Sequence, residues 1–159
     1  MVEEAALLLS KEFLSGVELK LDLNRATPPV RVNKGKLQQA LLNLVVNASE
    51  AMKGSGKLTL SVRPLTILPE LAEGRFTVRP NDAAHYVQIA VMDTGPGIPA
   101  EILDRIFEPF FTTKTAGTRK GTGLGLSLVH TMAGQEGFGL AVQSKPGAGA
   151  TFHLFIPET

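Results

Sequence analysis

Apolar and polar residues alternate without interruption over Val17–Leu23, with Val17, Leu19, Leu21 and Leu23 set against Glu18, Lys20 and Asp22. That two-residue period predicts a strand buried on one face, ended by Pro28-Pro29. Upstream, Val2, Ala5, Ala6, Leu9 and Phe13 recur at helical spacing and predict a helix over 2–13 that Gly16 closes. Leu37, Leu41, Leu44, Ala48 and Met52 step by four and three and predict a longer helix, capped by Asn33 and stopped by the "KGSGK" turn. "LTLSV" (58–62) and "YVQIAVMD" (86–93) predict two strands, the second with the apolar density of a central position. Between them, residues 63–85 hold three prolines and predict an irregular excursion with room for a short extra element. Farther on, "AEILDRIF" (100–107) predicts a short helix, 124–135 a helix, and "GLAVQSK" and "ATFHLFIP" two strands joined at "PGAG" as a hairpin. The order predicts an α/β fold, a mixed sheet with helices packed on one face.

Composition narrows what such a sheet serves. The 159 residues suit one domain, and a chain of that length buries about 70% of its unfolded surface. Cysteine is absent, which removes disulfides, thiolate catalysis and Cys-type zinc sites, and suits a reducing compartment such as the cytoplasm. The formal charge of +1 leaves no broad electrostatic footprint for nucleic acid or an anionic membrane. Apolar runs such as "AALLL" are too short to span a bilayer.

Three stretches could carry chemistry. In "GTGLGLS", Gly121, Gly123 and Gly125 leave backbone N–H groups approachable just before a helix starts, where unpaired N–H groups and a positive dipole end suit phosphate oxygens. The glycines alone read more readily as a flexible turn. Their spacing fits neither the dinucleotide fingerprint nor a Walker A loop, and Gly56-Lys57 lacks the following Ser or Thr. In "DTGPGI", Asp93 leaves a buried strand edge as a sheltered acceptor, although the same letters also make a good turn. Asn43 and Asn47 lie at i and i+4, with Glu50 a turn further, so both amides leave one face of the long helix. An amide oxygen there can join phosphate and water in the octahedral shell of Mg2+.

In order, "LQQALLNLVVNASEAM", "DTGPGI", "FEPFFTTK", "GTGLGLS" and "PGAGATF" resemble the N, G1, F, G2 and G3 boxes of sensor histidine kinases, over nearly the whole chain. The F box separates that family from its gyrase and heat-shock chaperone relatives. The resemblance implies the Bergerat (GHKL) ATP-binding sandwich, with a mostly antiparallel mixed sheet and a mobile ATP lid from Phe107 to Gly121. It implies that Asn47 coordinates Mg2+ with Asn43 in the same pocket. Asp93 then accepts from the adenine amino group, and Gly95, Gly97 and Ile98 wall the base. Lys114, Arg119 and Lys120 reach the phosphates, while Gly121, Thr122, Gly123, Leu124, Gly125 and Leu126 close over them. Thr151 follows Ala150 one position later than the family's usual threonine, which puts its adenine contact in doubt.

The hydrolytic relatives carry a glutamate where this chain has Asn43, which cannot act as a base. The resemblance therefore implies transfer of the γ-phosphoryl group of ATP to a histidine, with Asn43, Asn47 and Lys114 as the catalytic set. His85, His130 and His153 do not sit in the family's phosphoacceptor setting, a His followed by an acidic residue on a dimerisation helix. The expected chain is thus a single catalytic domain over 1–159, monomeric and cytoplasmic. Its partners are ATP, a separate dimerisation and phosphoacceptor domain and, indirectly, a response regulator, with no nucleic acid or direct membrane contact. The competing readings are a degenerate nucleotide-binding or interaction module without kinase activity and an anti-sigma-type serine kinase, whose members generally lack the "FEPFFTTK" segment.

Overall fold

The structure is a computed structural model describing residues 2–5, 7, 15–71, 74–112 and 125–158. Six strands form one sheet in the order β1-β2-β4-β6-β5-β3. They are β1 (Val17–Leu23), β2 (Gly56–Leu65), β3 (Gly74–Val78), β4 (Tyr86–Asp93), β5 (Gly139–Ser144) and β6 (Ala150–Pro157). Only β1 and β2 run parallel; the other four neighbouring pairs are antiparallel. The two long helices, α1 (Lys34–Ala51) and α2 (Gly125–Glu136), pack against one another and against one face.

Alternation along the strands sorts residues between the faces. Leu58, Leu60 and Val62 of β2, Val87, Ile89 and Val91 of β4, and Phe152, Leu154 and Ile156 of β6 point to the helices. They meet Leu37, Leu41, Leu44 and Ala48 of α1, the stripe foreseen from the four-and-three spacing. On the opposite face a smaller cluster of Tyr86, Ala141 and Phe155 is covered by Leu65, Leu68, Leu71, Phe76 and Ala83 from the 63–85 excursion.

Asn33 caps α1 as expected, its side-chain oxygen accepting from the Lys36 N–H at 3.1 Å. That satisfies one of the four amides a helix start leaves without a partner. β1, β4 and β6 occupy the spans that their hydrophobic patterns predict, and β5 stops one residue sooner. β2 is longer at both ends than 58–62. Pro64 is tolerated in it because β1 pairs only as far as Val62, so the side of β2 that loses a donor at Pro64 has no neighbour to receive one. The excursion's extra element is β3, an edge strand paired with β5 through a register shift between Phe76 and Val78.

The helix predicted over 100–107 is not formed. There is a single 3-10 turn, Ala100–Ile102, followed by turns closed mostly by i→i−3 bonds such as Arg105 N–H to Ile102 O. The segment is too short to offset helix nucleation, and no side chain caps its start. Its apolar residues still serve as anchors: Leu103, Ile106 and Phe107 are buried, and Phe107 stands edge-on to Phe152 at 6.2 Å. Of the first predicted helix, Val2–Ala5 and Leu7 are helical and the rest lies outside the described residues. Among the described residues, no helix is long and apolar enough to cross a membrane.

Candidate functional site

β4 delivers Asp93 to the helix-side face at the end of the strand, opposite Leu58 of β2. Asp93 is 4% exposed. Its Oδ1 accepts from the Gly95 N–H at 2.8 Å and the Ala150 N–H at 3.3 Å. Burial pushes the Asp93 carboxyl above the ordinary carboxylate range, and the two backbone donors counter that in part. Neither bond falls on Oδ2, so among the described residues one acceptor of a sheltered, fixed carboxylate is left for a donor from a ligand.

The loop after Asp93 is locked to the β5–β6 turn. Ser144, buried at the end of β5, accepts the Ile98 N–H at 2.8 Å and donates to Gly149 O at 3.0 Å. The Gly147 N–H donates to Pro96 O at 2.7 Å. Two of the glycines are required by this contact. Gly149 (φ +75°) lies so close that a Cβ there would stand 2.0 Å from Asp93 O, and one on Gly97 (φ +75°) would stand 2.2 Å from Lys145 O. On the other flank, Thr94 Oγ1 accepts from the Lys57 N–H at 2.9 Å and stitches the loop to the start of β2.

α1 connects this corner to the entrance of α2. A side-chain carbon on Gly95 would lie 3.4 Å from the Ala51 carbonyl, while one on Gly125 would lie 3.9 Å from Asn43 Cβ and 4.0 Å from its amide oxygen. Asn43, Asn47 and Ala51 follow one another at four-residue intervals, so they share a face, and eight residues of helix rise about 12 Å. The carboxylate end and the glycine entrance of α2 therefore open along one side of α1, with Asn47 midway. Asn43 is held by Gln39, whose Nε2 donates to Asn43 Oδ1 at 3.4 Å. The half-buried Asn47 amide makes no hydrogen bond to another described residue.

Asn43, Asn47, Gly95 and Gly125 thus lie along one side of α1 with Asp93 at its end, while Gly97 sits against the β5–β6 turn and Ile98 and Leu126 pack on the main core. Thr151 is not among them. It pairs with Met92, and by strand alternation it faces away from the side that Asp93 and Ala150 occupy. Its extra position relative to the family pattern turns the hydroxyl to the other face of the sheet. Lys114, Arg119, Lys120, Gly121, Thr122, Gly123 and Leu124 lie outside the described residues, as does most of the segment expected to form a lid. Ser144 escaped the sequence reading; its only signal is its place just before "KPGAG", the turn that carries Gly149.

Among the described residues no three His, Cys, Asp or Glu gather as a metal site. A neutral amide such as Asn47 offers one oxygen, too few to hold a cation without oxygens from a ligand or water. The histidines stand apart from this chemistry. His153 is buried in β6 between Gln88 and Gln143, and burial lowers it to about 4. His130 rests its ring 5.7 Å from that of Phe107.

Proteins similar to this chain include sensor kinases. The chain is 41% identical over 158 residues to sensor kinase CckA of Brucella abortus (strain 2308), covering 99% of this chain and 16% of that protein. It is 34% identical over 141 residues to sensor histidine kinase ZraS of Escherichia coli (strain K12), covering 89% of this chain and 26% of that protein. The chain therefore spans about a quarter or less of these relatives. Among solved structures it resembles a nucleotide-free catalytic domain of histidine kinase ThkA, with TM-score 0.74 and 27% identity over 99% of this chain and 92% of that one. It also resembles full-length ShkA in complex with AMPPNP, with TM-score 0.73 and 27% identity over 98% of this chain and 29% of that one. The profile of one family covers residues 32–159, which include α1, the Asp93 loop and the hairpin, and the chain belongs to that family: the histidine kinase-, DNA gyrase B- and HSP90-like ATPases.

Proposed function

We propose that this chain binds Mg-ATP and presents the γ-phosphoryl group to a histidine on a separate dimerisation domain, as the catalytic domain of a cytoplasmic two-component sensor kinase. The observation that carries the reading is α1, one face of which lies beside the Asp93 loop at Ala51 and beside the start of α2 at Asn43. In this reading Asp93 Oδ2 accepts from the adenine amino group, and Gly95, Gly97 and Ile98 wall the base. The Asn47 amide oxygen ligates Mg2+, whose charge neutralises what develops on the phosphate oxygens during transfer. Asn43 lines the phosphate end beside Gly125, where the first N–H groups of α2 face anionic oxygens. From their motif positions, Lys114, Arg119 and Lys120 supply further cations, and Gly121, Thr122, Gly123 and Leu124 complete the closure over the phosphates.

Transfer breaks the bond between the γ-phosphorus and the ADP oxygen and forms one to an imidazole nitrogen of the acceptor. The chain contributes position and charge neutralisation, and the acceptor contributes the nucleophile. Asn43 stands where a hydrolytic member would hold a glutamate base, so water is not activated and hydrolysis is slow. The test is radiolabelled ATP with and without an isolated dimerisation domain carrying its histidine. Label on that domain only, stable to base and labile to acid, is expected. Absence of ATP binding by calorimetry would overturn the reading, and binding without any transfer would leave a nucleotide-holding module in place of a kinase.

A further inference from the structure

We infer that Ser144 is a positioning residue for base recognition, acting through the Ile98 amide and the Gly149 carbonyl to hold the Asp93 carboxylate at a fixed angle. The inference rests on the proposed nucleotide site and adds to it a residue that touches no part of the nucleotide. The Ser144 hydroxyl bonds to both segments that enclose Asp93, beside the Gly147 N–H to Pro96 O bond. It accepts from the Ile98 N–H at 2.8 Å and donates to Gly149 O at 3.0 Å. Gly149 in turn lies against the Asp93 carbonyl, with no room for even one carbon between them. The next residue, Ala150, sends its N–H to Asp93 Oδ1. The chain of contacts therefore runs from Ser144 through Gly149 and Ala150 to the carboxylate on one side, and through Ile98 to the wall of the base pocket on the other.

The chemistry gives that arrangement a consequence. A carboxylate distinguishes an amino-bearing purine from an oxo-bearing one only if its free oxygen is held in the base plane at hydrogen-bond distance. Asp93 has one oxygen taken by two backbone donors, and both donors belong to the segments that Ser144 joins. Without the hydroxyl, the Ile98 N–H and the Gly149 carbonyl lose their partner, and the two segments are held only by the Gly147 N–H to Pro96 O bond and the Asp93 contacts, which loosens the carboxylate. The phosphate end, built by α1 and α2, does not depend on this bond. Loss of Ser144 should thus weaken recognition of the base and leave phosphate contacts standing.

The experiment is a pair of substitutions in the 159-residue chain, read by calorimetry with Mg-ATP and Mg-GTP. Ser144→Ala is expected to weaken ATP binding about tenfold and to leave GTP binding within about twofold, so that preference for adenine narrows. Ser144→Thr keeps the hydroxyl and is expected to bind ATP within about twofold of the native chain. Unchanged ATP affinity in a folded Ser144→Ala chain overturns the inference, as does an equal loss for both nucleotides or a loss in Ser144→Thr as large as in alanine. Should the alanine variant not fold, hydrogen exchange in the native chain decides. Protection of the Ile98 amide supports the joined segments, and exchange at the rate of an open loop overturns them. A native chain that binds neither nucleotide would instead defeat the functional reading itself, which keeps the two failures separate.

Discussion

The two ends of the proposed nucleotide site are built in different ways. At the base end a carboxylate is buried at a strand terminus and fixed by backbone donors from a loop and from the turn between β5 and β6. At the phosphate end the described residues offer neutral amides on a helix and the N-terminus of another helix. Under the proposed function the contrast follows from the ligand. Recognition of one amino group needs a single acceptor at a set place, and a buried carboxylate does this only if its desolvation is offset by firm hydrogen bonds. A polyphosphate with its cation changes charge distribution during transfer, and helix termini and neutral amides accommodate that without repelling it.

The largest effect should come from the base end. Asp93→Asn puts an amino group where Oδ2 stands, facing the donor of the base, so ATP binding should weaken about 100-fold, or about 3 kcal/mol, by calorimetry. The nucleotide-free melting temperature should not fall, because the substitution removes a buried charge while its oxygen can still accept from Gly95 and Ala150. A normal affinity in that variant would break the comparison. Next comes Gly149→Ala. It forces a carbon against the Asp93 carbonyl at a positive φ and should cost the fold about 2 kcal/mol or more in denaturant unfolding, along with ATP binding.

Asn47→Ala tests the other end and should be smaller. Mg-ATP binding is expected to weaken about tenfold, an effect that should vanish when the cation is chelated. Persistence of the loss without Mg2+ would move Asn47 from metal to base. The smallest effect is with pH. The Asp93 pKa is raised by burial, and only the ionised form leaves Oδ2 certain to accept, so ATP affinity should decline as pH falls through the folded value. For the empty protein the sign is reversed: protonation of Asp93 favours the fold, and that contribution is lost as pH rises through the same value. A pH series comparing native chain with Asp93→Asn isolates both trends, since the variant has no such group.

Much of this was legible in the letters, and the exceptions have causes. The strands with clean alternation and the helix with a four-and-three stripe were placed almost to the residue, because one buried face imposes its period on the chain. Asp93 and the asparagines could be singled out because a polar residue in an apolar element needs a reason. The segment 100–107 has a helical apolar pattern, yet its three buried side chains can be seated from successive tight turns, which periodicity cannot distinguish from a helix. β3 has little period of its own and is a strand because β5 offers an unpaired edge. Thr151 was grouped with the pocket from its neighbourhood in sequence, while a one-residue step in a strand reverses the face. Ser144 was missed for the opposite reason: its partners, Ile98 and Gly149, lie 46 and 5 residues away, and only pairing of the strands brings them together.

The seam where Gly149 rests on Asp93 also bears on how the protein becomes competent. Residues 93 and 149 can meet only once β4 and β6 have zipped together in the middle of the sheet, a long-range event that closes a large loop. A half-assembled chain therefore lacks the Asp93 corner proposed to seat the purine. Any ligand held there stabilises the finished domain by mass action, adding about 2.7 kcal/mol at a concentration 100 times its dissociation constant, so nucleotide supply and lifetime of the folded protein are tied through one glycine.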